Sequence, residues 1–349
     1  MPAIEREPFD FVRYPDGNAI DYDAATGHDR FRGRSGHLEC ELTALSPFLV
    51  MDSHERAGSN QMNTGKFMRN RSGYIIPGTS LKGMVRSLFE VLYPSCTQTT
   101  GRGSRVPNAF KPCRSRSKMC PACRVFGFLS GGTVHKGQVN LGTAHANKDE
   151  EGKNPRADTA RQLIPLFTPD PTEPKYNEGG RAKGYKFYYH QPKVQRAMSS
   201  NDEKFGNWVA PLPAGTTFSF TVTFENLTDK ELNALVAALV LTDAATDPET
   251  GDTVAVRPKL GYGKPAGLGS VAIRLTKVEI QQNARQAYRS FDRSPMVMTE
   301  DSGELSEWVS KRQQLFFGAP NRTVKDLIRI LRYPPREDVK FKYDYEHDG

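Results

Sequence analysis

Residues 72–90, SGYIIPGTSLKGMVRSLFE, constrain the fold more than any other stretch of the chain. Tyr74-Ile75-Ile76 has the composition of a strand, Pro77-Gly78 interrupts it, and Thr79-Ser80 offers hydroxyls at a helix start. From there apolar residues recur at helical spacing, at Leu81, Met84, Val85, Leu88 and Phe89. Lys82 and Arg86, four apart, share the first two turns away from that stripe. Strand, glycine turn and helix N-terminus together gather free backbone N–H groups, two hydroxyls and two cations, which is a mechanism for holding a phosphate. Such units also form simply because they fold well, so the rest of the chain must decide between the two uses. The spacing is not that of a nucleotide P-loop, and an NTP site is not expected.

The charge distribution favours a polyanion. The 349 residues carry a formal net charge of +8, and the excess is concentrated. Between Lys66 and Lys136 thirteen Lys or Arg face a single acid, Glu90, so this segment carries +12 and the remainder −4. Clustered positive charge fits a nucleic-acid partner better than a diffuse excess would, although a solvated basic face is the plainer use. The length suits one elaborated domain or two ordinary ones. No run approaches the ~18 apolar residues of a membrane span, and no secretory leader is evident. The expectation is a cytoplasmic protein without a membrane partner.

Four of the five cysteines cluster, as Cys96-x16-Cys113-x6-Cys120-Pro-Ala-Cys123. In a cytoplasmic chain this arrangement points to metal rather than disulfides. The Cys-x2-Cys half makes a tight knuckle, and two further thiols complete a tetrahedral site of the kind structural zinc occupies. An iron–sulfur cluster is the other option, and His135 is a substitute ligand should Cys96 lie elsewhere. Cys40, in the alternating segment HLECELTAL at 37–45, reads as a small buried hydrophobe of the first core strand.

Taken in order, residues 1–36 read as a polar arm with little regular structure. The long loop 47–73 contains Asp52, His54, Lys66 and Arg69. After the helix and the cysteine insertion, GQVNLGTA at 137–144 reads as a strand, and 145–184 as an extended, Pro- and Gly-rich finger. YKFYYH at 185–190 is an aromatic strand with Lys186 among the rings, the ingredients of a base-stacking platform as well as of a core. A strand over 216–224 and a helix over 227–241, capped by Thr228 or Asp229, follow. A second glycine-rich stretch, KLGYGKPAGLGSV at 259–271, supplies Tyr262 and Lys264 among glycines 261, 263, 267 and 269. A closing strand runs to Ile280, and the tail holds two helices, around 305–316 and 324–331.

These elements approximate a βαββαβ, ferredoxin-like (RRM-like) α+β fold with two insertions. In this order, IPGTSLKGMVRSLFE (75–90), CPACRVFG (120–127), GYKFYYHQ (184–191), FENLTDKELNALVAAL (224–239) and LGYGKPAGLGSV (260–271) resemble the RAMP superfamily of CRISPR-associated RNA-binding proteins. The nearest likeness is to zinc-bearing backbone subunits of type III effector complexes and of the type VII systems related to them. The resemblance implies an arm at 1–36, a RAMP domain at 37–284 with a zinc insertion at about 94–135 and a thumb-like hairpin at about 145–184, and a helical extension at 285–349. It implies a subunit that lines up in a helical row of copies along a CRISPR RNA (crRNA), holds its backbone and presents bases to target RNA beside other effector subunits. By family position the grip falls to Ser80, Lys82 and Arg86 and to the loop from Tyr262 to Gly269. Gly78, Thr79, Lys66, Arg69, Lys186, Tyr188, His190, Lys264 and Gly267 complete the expected RNA contacts, and structural Zn falls to Cys96, Cys113, Cys120 and Cys123.

Target-cutting relatives carry an Asp some fifteen residues before the IPG; counting back from Pro77 reaches Met62-Asn63. Asn cannot act as a general base or offer a carboxylate to a cation. The expectation is therefore a non-cleaving subunit with a separate nuclease. The alternative is a metal-dependent endonuclease using Asp52 or His54 from the 47–73 loop. Guide processing by a histidine base (His28, His54 or His190) is a third reading.

Overall fold

A computed structural model describes residues 4–15, 19–24, 27–29, 32–52, 64–97, 106–166, 170, 172–198, 206–281 and 295–343. Three eleven-residue strands set the frame: β1 (Arg34–Ala44), β6 (Thr217–Leu227) and β7 (Val271–Gln281). Their alternation sorts the side chains by face, burying Leu38, Cys40, Leu42 and Ala44 on β1 and Phe218, Phe220, Val222 and Phe224 on β6. β1 lies between β6 and β7, antiparallel to both. A bulge between Leu275 and Lys277 shifts the alternation of β7, so the next buried residues are Val278 and Ile280.

The outer edge of β6 pairs with β3 (Val139–Leu141) and β4 (Ala144–Ala146), and β4 in turn with β2 (Gly73–Ile76). At the opposite edge β8 (Met296–Thr299) joins β7. Helix α1 (Gly78–Leu92) packs against α3 (Asp229–Val240), and α3 against β7. The central elements thus run β1, α1, β3/β4, β6, α3, β7, with sheet order β7-β1-β6-β3/β4, which is the expected βαββαβ pattern in an α+β chain. Helix α3 begins as expected, with a capping box in which Thr228 and Glu231 satisfy each other's backbone N–H. The short α2 (Pro121–Phe126) lies within the cysteine insertion.

The N-terminal arm departs from expectation. Phe9–Arg13 pairs antiparallel with β5 (Gly184–Tyr188), and Ile4–Arg6 pairs parallel with Val339–Phe341. Arg13 makes a two-pronged ion pair with Asp326, and Arg329 pairs with Asp10, both across to α5 (Arg322–Leu331). The tail also carries α4 (Glu304–Phe317), packed on α3. The chain's own C-terminal extension therefore orders the arm. These partners lie more than 300 residues apart, which no local pattern reveals.

The segment expected as a thumb carries short strand pairings. Arg161–Gln162 pairs with Trp208–Ala210, and Asn177–Glu178 forms a small hairpin with Arg181–Ala182. Tyr176 stacks on Phe9 at 5.2 Å, holding this part against the N-terminal strand. A different hairpin, Gly127–Ser130 with Thr133–Lys136, presents the exposed pair Leu129 and Val134 directly opposite each other. Among the described residues no helix is long and apolar enough to cross a membrane.

Candidate nucleic-acid interface and metal centre

Helix α1 starts one turn earlier than the apolar spacing indicates, at Gly78, with Pro77 as N-cap. It has neither a side-chain cap nor an acidic residue in its first turn. Thr79 and Ser80 are thus inside the helix, and their hydroxyls are not used to cap it. The positive end of the helix dipole is left for an outside anion.

That end opens on a cleft of about 600 Å³. Thr79, Ser80, Gly83 and Ser87 line it from α1, Lys186 and Tyr188 from β5, and Lys259, Gly261, Tyr262 and Lys264 from the glycine loop. Three stretches far apart in the chain thus meet at one surface, and among the described residues no Asp or Glu lines it. Lys186 and Tyr188, two apart on a strand, share a face. The Lys186 ammonium lies 3.8 Å from the Phe9 ring centroid, 4.7 Å from Tyr176 and 5.0 Å from Tyr188. Burial, helped by Lys175, lowers its pKa to about 8. Lys264 donates to the Gly261 carbonyl at 2.9 Å, and burial lowers its pKa too. Lys259 is buried, donates to the Tyr189 carbonyl at 3.1 Å, and is brought down to about 7 by burial and then by Lys264. Rings beside cations in an acid-free groove suit a sugar–phosphate chain with stacked bases.

Several expected contacts lie elsewhere. Arg86 is turned away from the cleft: its guanidinium donates to Glu90 at 2.8 Å, to the Gly127 carbonyl at 2.8 Å and to the Cys123 sulfur at 3.6 Å. Burial opposes its charge, but Glu90 outweighs this and its pKa is raised. Lys82, on the same side of the helix, is half-buried and does not line the cleft; burial and then Arg86 lower its pKa. The 79–83–87 row lines the cleft and the neighbouring 82–86 row does not, whereas the sequence reading placed both at one anion. His190 is a core residue, with its ring nitrogens 2.7 Å from Ser270 Oγ and 2.9 Å from the Arg257 carbonyl. Burial and then Lys259 depress its pKa to about 3, so it neither contacts RNA nor serves as an accessible base.

The glycines also work inward. A Cβ on Gly78 would sit 2.0 Å from the Leu141 carbonyl oxygen, and one on Gly269 (φ +81°) 2.1 Å from that of Leu260. Gly267 likewise faces the Lys193 carbonyl. Their missing side chains admit the chain's own backbone rather than a ligand. Lys66 and Arg69 are exposed on two short strands outside the cleft lining. Asp52 follows the cleft residue Met51 and donates its backbone N–H to the Lys66 carbonyl at 3.1 Å, and its carboxylate is not part of the lining. His54 lies outside the described residues. His28 pairs with Glu225 at 2.8 Å. Lys259 and the flanking rings of Phe9 and Tyr176 are additions; the KLGYGK run contained Lys259, but only its second lysine had been singled out.

The four clustered cysteines do converge. The sulfurs of Cys96, Cys113, Cys120 and Cys123 all lie within 4.8 Å of one another, and all four residues are buried. Cys96 is 3.4 Å from both Cys120 and Cys123. A zinc ion with bonds of about 2.3 Å spaces tetrahedral sulfurs about 3.8 Å apart, so the group is of the right size for one. Backbone N–H groups of Cys120 and Cys123 point at the sulfurs of Cys113 and Cys120, at 3.3 and 3.4 Å, as they do in a thiolate knuckle. The quartet could hold a metal ion such as zinc. His135 is not a ligand of this group, because its Nε2 meets the Arg124 carbonyl at 3.2 Å. The insertion is fastened to the body by the buried Arg124–Glu231 ion pair at 2.7 Å and by the Tyr185 hydroxyl donating to the Ser95 carbonyl at 2.8 Å. Cys40 stands apart on β1, its thiol pKa pushed up by burial.

With cleft and thiol cluster in place, the chain can be set beside known proteins. It belongs to the RAMP superfamily, whose family profile matches residues 41–272. No curated protein matches the chain. Among solved structures, a chain of one described as a Type IV-B CRISPR complex is 17% identical, covering 69% of this chain and 90% of that one with a TM-score of 0.36. That likeness is loose and carries no argument about function.

Proposed function

We propose that this RAMP protein is a backbone subunit of a CRISPR ribonucleoprotein that holds crRNA in the α1–β5–glycine-loop cleft and leaves its bases free to pair with target RNA. One observation carries the reading: a helix start without cap or acid faces three lysines and two tyrosines across a cleft with no carboxylate among its described lining residues. Such a site holds phosphates and stacks bases without reading sequence, which suits a protein whose specificity comes from base pairing. Zinc is the metal best suited to four buried thiols, and its role is structural, since a closed four-sulfur shell leaves no position for water. The domain limits and the assembly of copies in a helical row beside a separate nuclease, as in type III or type VII complexes, follow from the family resemblance.

Cleavage by this subunit is not part of the proposal, because among the described residues the cleft lining holds no carboxylate or histidine. Co-expression with a repeat–spacer RNA, followed by electron microscopy, tests the architecture: a helical row of copies on RNA is expected, and an RNA-free monomer refutes it. Guide–target duplex incubated with the purified complex and Mg²⁺ should stay intact. Cutting at a regular interval that Asp52→Ala abolishes would establish the endonuclease alternative.

A further inference from the structure

Lys259 is the least expected residue in the cleft. Among the described residues its ammonium has one hydrogen-bond acceptor, the Tyr189 carbonyl just past the end of β5. Among the described residues, Lys259, Lys264 and Lys186 are in no ion pair, although Lys259 and Lys264 are buried or nearly so. Burying an ammonium without a counter-charge costs several kcal/mol, and such a group sheds its proton instead. Among the described residues, the groups facing Lys259 do not supply the missing charge. The glycine loop offers Lys264, and the segment after β5 offers neutral His190. Arg257, two residues earlier, is committed to Asp243. Lys186 on β5 is a further cation, with Glu7 only a weak influence on it, and α1 offers only the hydroxyls of Thr79, Ser80 and Ser87. The cleft is therefore a receptor whose innermost cation is complete only when an anion is present.

We propose that a nucleic-acid phosphate entering the cleft recruits a proton from solvent to Lys259, so that the grip of this subunit on RNA is proton-linked. The inference rests on the RNA-holding reading above and adds to it a residue and a pH dependence. The direction follows from linkage. Well below pH 7 the free amine is already charged, as its value of about 7 implies, and the proton uptake on binding fades there. Above pH 7 the free protein carries a neutral amine and the complex an ammonium, so affinity falls as pH rises, by at most about tenfold per pH unit for one proton. Lys186 adds a second, higher window near pH 8, and its exposure to solvent makes its share smaller.

Titration calorimetry tests this with the purified full chain and a single-stranded oligocytidylate, at pH 6.5, 7.5 and 8.5 and constant ionic strength. Each pH is run in two buffers of contrasting ionisation enthalpy, which counts protons directly. The expected result is a small uptake at pH 6.5, a larger one at pH 7.5 and above, and a several-fold loss of affinity across the series. Lys259→Met, which keeps the stem and cannot charge, should remove most of the uptake at pH 7.5 and leave only the smaller Lys186 share at pH 8.5. Because the proton count is made on the unaltered protein, the test stands even if that variant folds poorly. Binding with no proton uptake, or uptake unchanged in a folded Lys259→Met, overturns the inference and leaves the RNA-holding reading intact. No binding at any pH overturns both.

Discussion

Arg86 on α1 donates to the sulfur of Cys123 at 3.6 Å while its Nε holds Glu90 at 2.8 Å, so the helix that opens the cleft also braces the cysteine cluster. The two faces of one helix serve two sites. Thr79, Ser80, Gly83 and Ser87 face the cleft, and Arg86 faces the insertion.

Loss of the metal should therefore unsettle the body of the protein as well as the insertion. The purified chain is expected to carry one zinc, measurable by elemental analysis. Cys113→Ser, or stripping by a strong chelator, should cost about 3 kcal/mol or more, a fall of roughly 6–12 °C in Tm for a domain of this size. A metal-free chain with unchanged melting would contradict the structural role of the cluster.

The glycine loop carries a second prediction. Gly261 has φ +86°, and a Cβ there would meet the Leu49 carbonyl oxygen at 2.2 Å. Gly261→Ala combines left-handed strain with a backbone clash, and should cost about 2–4 kcal/mol in urea unfolding. Gly215→Ala, at φ +87° with open space around it, isolates the strain alone and should cost about 1–2 kcal/mol.

His190 gives the fold a stability profile in acid. Its pKa is held near 3 by burial and by Lys259, below the unfolded value of 6.5. The unfolded chain therefore binds the proton first as pH falls. The stabilisation is whole above pH 6.5 and is lost on descent toward pH 3, by at most about 1.4 kcal/mol per pH unit from this one group. Unfolding free energies of His190→Gln between pH 7 and 4 should show a shallower decline than the parent. An identical slope would mean that His190 is not buried neutral.

Much of this was legible in the sequence, and what was not has identifiable reasons. Strict alternation marked β1 and β6, and helical spacing with Thr228 at its head marked α3, because local periodicity carries those signals. The thiol cluster was legible because Cys-x2-Cys is a local geometry. The partition of α1 was missed because periodicity says which residues share a face without saying what stands opposite each face. His190 was taken for a surface residue because an aromatic–basic strand reads alike whether its partner is RNA or Ser270. The ordered arm depends on Asp326 and Arg329, at the far end of the chain.

Salt dependence probes the cleft as a binder of phosphate. Lys186→Ala should weaken binding of single-stranded RNA similarly for all sequences and reduce the slope of log K against log salt by about 0.7, the share of one phosphate contact on a single strand. Lys111→Ala, in the exposed part of the insertion, is the control.

The central claim, that RNA lies in the cleft between α1, β5 and the glycine loop, is tested most directly by ultraviolet crosslinking of the protein to single-stranded RNA and mass spectrometry of the adducts. The account predicts adducts on the peptides that carry Tyr188 and Tyr262, the two tyrosines lining the cleft. Adducts confined to other surfaces, such as the exposed Arg114–Lys118 segment, with both of those peptides unmodified, would contradict it.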